Sequence, residues 1–74
     1  MLLDETIRII ADYLGVDREE ITENTNILYE YDLEVEQLEE LSDILAEETG
    51  RYFSPDIFDE YGSIGEVVKE IQDY

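Results

Sequence analysis

Glu36, Glu39, Glu40, Asp43 and Glu47 are the side chains whose type and spacing suggest a task. They recur three and four residues apart, so on a helix they share one face. Like charges at those spacings destabilise a helix by roughly a few tenths of a kcal/mol per pair. A helix that retains this cost is a candidate docking surface for a basic partner. The plainer alternative is a solvated face in an acidic protein.

Other chemistry finds little material. The chain has no histidine and no cysteine, which removes the usual general base, the thiolate nucleophile and the common zinc ligands. Ser42, Ser54 and Ser63 therefore have no imidazole to activate them, and Ser54 and Ser63 are placed as helix caps. An EF-hand loop needs acids at its first, third and fifth positions before a glycine. Counting back from Gly62 puts Ile57, Asp59 and Tyr61 there, so the motif fails. Paired carboxylates do acid–base work only within a cleft, and a chain this short has little means to build one. No glycine-rich phosphate loop is present. Neither a catalytic nor a metal site is expected, and the protein is not expected to be an enzyme.

Charge narrows the partners. Twenty-two acids against four bases give a net charge of −18, so phosphate backbones and anionic membranes would be repelled. Basic protein surfaces are favoured. No apolar run is long enough to span a bilayer, and no basic segment precedes an apolar stretch at the N-terminus. A monomeric cytoplasmic protein is the expectation. Such acidity can accompany disorder, but 43% apolar content in periodic order argues for a fold. Seventy-four residues make one domain, 1–74.

The elements that would position the acidic face read as four helices near 3–14, 34–49, 55–61 and 64–73, with no strands. In the first, Leu3, Ile7, Ile10, Ala11 and Leu14 share a face, Asp4 is the expected cap and Gly15 the stop. Residues 16–31 read as a long connection. Asp17 and Glu20 form one capped turn in it, and Ile21, Ile27 and Leu28 anchor it. Tyr29 and Tyr31 flank an acid just before the central helix. Leu38, Leu41 and Leu45 line the central helix's apolar side, widened by Ile44; Asp32 is the expected cap and Gly50 the end. Phe53 should anchor the following strand-like piece. Ser54-Pro55 should open a short third helix that Gly62 ends, and Ser63 with Glu66 should open the last, with Ile64, Val67, Val68 and Ile71 buried.

This order of motifs resembles the acyl carrier protein family. Ile9 to Thr22, Ala46 to Gly50 and Ser63 to Ile71 look like the family's first helix and opening loop, the end of its second helix, and its last helix. The resemblance implies an all-α, small four-helix bundle of acyl-carrier type with a long first loop and a short third helix. It also implies a 4′-phosphopantetheine arm, carried on the serine of a D-L-G-x-D-S-L motif. Here that motif reads from Asp32 to Leu38, and Asp32, Leu33 and Leu38 match. Glu34 replaces the glycine, Glu36 the aspartate and Gln37 the serine. In this register the first loop is about two residues longer than the family's. A carboxamide at Gln37 cannot form the phosphodiester, so no prosthetic group is expected. Ser42 lies more than a turn further into the helix and does not replace it. The family's second helix docks on Arg and Lys patches of partner enzymes, a role that Glu36, Glu39, Glu40, Asp43 and Glu47 can keep. The expected function is an acidic module docking on fatty-acid, polyketide or peptide-synthesis-type enzymes without the arm. The alternatives are a true carrier using another attachment residue and an acidic mimic of nucleic acid that regulates other proteins.

Overall fold

The computed structural model describes residues 1–72. Among them the chain forms α1 (Leu2–Leu14), a 3-10 turn (Arg18–Glu20), α2 (Ile27–Tyr31), α3 (Val35–Thr49), α4 (Ile57–Glu60) and α5 (Ile64–Gln72), with no strand. α1 packs against α3, α5 and the 3-10 turn, while α4 packs against α2 and α5. The expected all-α architecture is present, with one helix more than the four expected. The last expected helix extended to Asp73, which lies outside the described residues.

α1 starts ahead of the expected Asp4 cap. The Met1 carbonyl accepts from the Glu5 amide at 3.0 Å, and Asp4 and Glu5 occupy the first turn, where carboxylates favour the helix dipole. Gly15 closes the helix at φ 70°. The Val16 amide reaches the Ala11 carbonyl at 3.0 Å, the six-to-one bond of a Schellman closure. Because α1 is covered by two long helices, more than one stripe is buried. Ile9 and Thr6 are buried as fully as Ile10, while the expected core residues Ile7 and Leu14 are only half-buried.

The long connection is more ordered than its composition suggests. Glu20 Oε2 accepts from the Asp17 amide at 3.1 Å, the expected capping contact. Ile21 and Ile27 are buried anchors and Leu28 packs beside them. Asn26 caps α2, its Oδ1 accepting from the Tyr29 amide at 3.1 Å. The loop also caps α5. The Ile64 amide donates to the Thr25 carbonyl at 3.0 Å and the Gly65 amide to the Glu23 carbonyl at 2.8 Å. These are orphan donors of a helix start, satisfied by distant backbone. A Cβ at Gly65 would sit 3.1 Å from the Glu23 carbonyl oxygen, so a glycine permits this approach.

Asp32 does not cap α3 as expected. It ends α2, in the left-handed conformation at φ 51° and ψ 50°. Glu34 is the N-cap of α3. Leu38, Leu41 and Leu45 are buried as expected, and Gly50 at φ 72° ends the helix. Phe53 is fully buried. Ser54 and Pro55 form a turn leading into α4 rather than its first residues: the Ile57 amide donates to the Ser54 carbonyl at 3.0 Å. α4 ends at Glu60 with Tyr61 as its cap, and Gly62 takes no left-handed conformation. In α5, Ser63 Oγ accepts from the Glu66 amide at 3.3 Å, and Ile64, Val67, Val68 and Ile71 are buried.

Candidate functional site

The acidic face is built by the geometry of α3. At 3.6 residues per turn, Glu36, Glu39, Glu40, Asp43 and Glu47 fall within roughly 100° of arc. Leu38, Leu41 and Leu45 fall opposite them and are buried. Burial of the leucine stripe therefore turns the acids outward, and all five are exposed.

Their charge is left largely uncompensated. Arg8 pairs with Asp12 at 3.7 Å and Glu48 at 3.5 Å, and Arg18 pairs with Asp4 at 3.5 Å. Arg51 donates to the Ile71 carbonyl at 3.5 Å. Among the described residues, Glu36, Glu39, Asp43 and Glu47 have no ion pair or side-chain hydrogen bond. Glu40 differs: Tyr13 of α1 donates its phenolic hydrogen to Glu40 Oε1 at 2.7 Å. That hydrogen bond holds the Tyr13 pKa above its ordinary value of 10.0, with smaller contributions from burial and the Glu40 charge. Glu40 thus joins two helices while facing solvent. Tyr13 was not foreseen, since nothing in the spacing links residues on different helices.

The start of α3 holds Glu34, Val35, Glu36 and Gln37. Gln37 is exposed and is the third residue of the helix. Its Oε1 turns back to accept from the Glu34 amide at 2.9 Å, the side-chain half of a capping box. Val35 is the first helical residue and is 68% exposed. Ser42 is 3% exposed, and its Oγ is buried without a hydrogen-bond partner among the described residues.

A cleft of about 430 Å³ lies past the C-terminal end of α3, lined by Arg51, Tyr52, Ser54, Ile57, Glu60, Tyr61 and Ile71. It brings together none of the five acids of the α3 face. Among the described residues no group of acids is arranged to hold a metal, and no helix is long and apolar enough to cross a membrane.

A helical bundle with a long ordered loop leading into an exposed, acidic central helix defines a carrier-type domain. A family model described as a phosphopantetheine attachment site matches residues 4–71, and the chain belongs to that family. Comparison with curated proteins finds no match. The group that names the family is joined through a hydroxyl. Residues 34–37 offer two carboxylates, an aliphatic group and a carboxamide. The nearest hydroxyl along the helix, on Ser42, is buried. The residues at the start of α3 do not fit the arm.

Proposed function

We propose that this chain is an acyl-carrier-like docking module that works without a phosphopantetheine arm. Its acidic α3 face engages basic grooves of fatty-acid, polyketide or peptide-synthesis-type enzymes. The observation that carries this reading is the uncompensated acidic stripe on a carrier-family helix whose start has no accessible hydroxyl. In this reading the chain is a cytoplasmic monomer that catalyses nothing itself and competes with, or holds a place beside, armed carriers. Charge of this kind accelerates encounter and selects against acidic partners.

The test is association with a synthase-type enzyme that has a basic carrier-docking groove. The variant E39K/E47K reverses two acids without touching the leucine stripe or the Tyr13–Glu40 hydrogen bond. It should associate more slowly than the parent chain, with a weaker dependence on salt. Identical association rates for the two would remove this face from the function. Incubation of the parent chain with coenzyme A and a broad-specificity phosphopantetheinyl transferase should leave its intact mass unchanged. A gain of one arm would restore the reading as a true carrier.

A further inference from the structure

We infer that Val35, and not Gln37, occupies the position at which this family carries its arm, so that an exposed valine has replaced the attachment hydroxyl. This rests on the unarmed-carrier reading and specifies where the loss occurred. Letter matching favours Gln37, since that register keeps Asp32, Leu33 and Leu38 of the motif. Backbone conformation favours Val35.

In D-L-G-x-D-S-L, the glycine marks a place where the chain turns left-handed or approaches closely. The aspartate is a helix N-cap type. The serine that follows such a cap is the first helical residue. At the entry to α3 the structure contains this sequence of conformations, shifted two residues toward the N-terminus. Asp32 is the one non-glycine residue with positive φ among the described residues. Aspartate is among the few side chains that tolerate that region. Two residues on, Glu34 is the N-cap of α3, and Val35 is its first residue.

The Gln37 register has no such support. It puts the glycine at Glu34, whose φ of −83° and ψ of 162° suit any residue. It puts the capping aspartate at Glu36, already inside the helix, and the serine at the third helical position. The two-residue surplus that this register requires in the first loop disappears when the motif is moved back to Glu30–Glu36. Acids then stand at both acidic positions, Glu30 and Glu34. The departures are Tyr31 and Glu36 for the two leucines, Asp32 for the glycine and Val35 for the serine. Val35 also faces solvent, as an attachment position must.

The experiment compares two restored motifs. One variant is D32G/E34D/V35S, alone and with E36L; the other is E34G/E36D/Q37S. Each is checked for helical content and cooperative unfolding, then incubated with coenzyme A and a broad-specificity phosphopantetheinyl transferase beside an ordinary acyl carrier as positive control. Intact mass and peptide mapping are the readouts. The first design, in at least one of its two forms, should gain one arm on the hydroxyl introduced at position 35, while the second stays unmodified. An arm on the hydroxyl introduced at position 37, at an equal or higher rate, would overturn the inference. So would failure of both folded forms of the first design while the control is loaded. Neither result bears on docking, which the association rates of E39K/E47K decide separately.

Discussion

Replacing Asp32 by glycine and by alanine gives two proteins whose difference reports one backbone angle. Both substitutions remove the same carboxylate, taking the net charge from −18 to −17 by the loss of one acid. Asp32 is exposed and its side chain makes no hydrogen bond or ion pair among the described residues. Packing and pairing therefore cancel in the comparison. At an ordinary negative φ, alanine is more stable than glycine by roughly 0.5–1 kcal/mol, because glycine loses more chain entropy on folding. At φ 51° and ψ 50° the Cβ of alanine meets the following carbonyl, at a cost of about 1–2 kcal/mol. The order reverses, and D32G should exceed D32A by about 1 kcal/mol net. For a domain of this size, that is a melting-temperature difference of about 4–8 °C. Thermal unfolding at neutral pH, with urea midpoints as a second measure, reads it directly. D32A matching or exceeding D32G would show that residue 32 is not held left-handed. The conformational case for placing the motif's glycine there would then collapse.

Thr6 is fully buried with Oγ1 unpaired among the described residues, and an unmet buried hydroxyl costs about 1–3 kcal/mol. Thr6→Val should raise stability by about 1 kcal/mol, or about 4–8 °C in melting temperature; a fall would reveal a partner for the hydroxyl. The Tyr13–Glu40 contact favours the neutral phenol, so the folded state keeps that proton longer than the unfolded chain. Its contribution is therefore intact below about pH 10 and lost as pH rises through the raised folded value. Glu40→Ala, which removes the acceptor and the charge together, should lower the Tyr13 titration toward its ordinary value, read by tyrosinate absorbance as a difference against Tyr13→Phe; an unmoved titration would exclude the contact with Glu40 as its cause.

The long helices were legible because each buries one stripe that recurs at helical spacing. Leu38, Leu41 and Leu45 in α3, and Ile64, Val67, Val68 and Ile71 in α5, are buried as their spacing implies. Ile9 was missed because a single stripe cannot represent a helix covered on two sides. α2 was missed because five residues show too little periodicity, and Asn26, its cap, reads equally well as a turn residue. That omission misplaced Asp32. The residue suits an N-cap and a left-handed C-cap alike, and α2 ends only three residues before Glu34 caps α3. With α2 unseen, the nearest helix was α3, and Asp32 became its cap. The acidic face was fully legible, since outward orientation follows from the leucine stripe. The bond from Tyr13 to Glu40 was not, because it joins residues 27 positions apart.

The same face sets a limit on what stability alone can explain. Within α3, Glu36 with Glu39 and Glu40, Asp43 with Glu39 and Glu40, and Glu47 with Asp43 are all like-charge neighbours at three or four residues. At a few tenths each they cost about 1–2 kcal/mol, a sizeable share of the about 4–11 kcal/mol that a domain this small can hold. Glutamine at two of these positions would relieve much of that cost with almost the same helix propensity. Arg8, Arg18 and Arg51 instead make their polar contacts elsewhere, with Glu48 and Asp12, Asp4 and the Ile71 carbonyl. The unbound chain carries the repulsion, which salt screens and a cationic surface would relieve. Val35 stands one turn ahead of Glu39, exposed beside the stripe. Long-range charge speeds an encounter more than it holds one, so holding depends on short-range contacts at the edge of the acids. In the proposed complex, that edge has an apolar side chain where an armed carrier would have the arm.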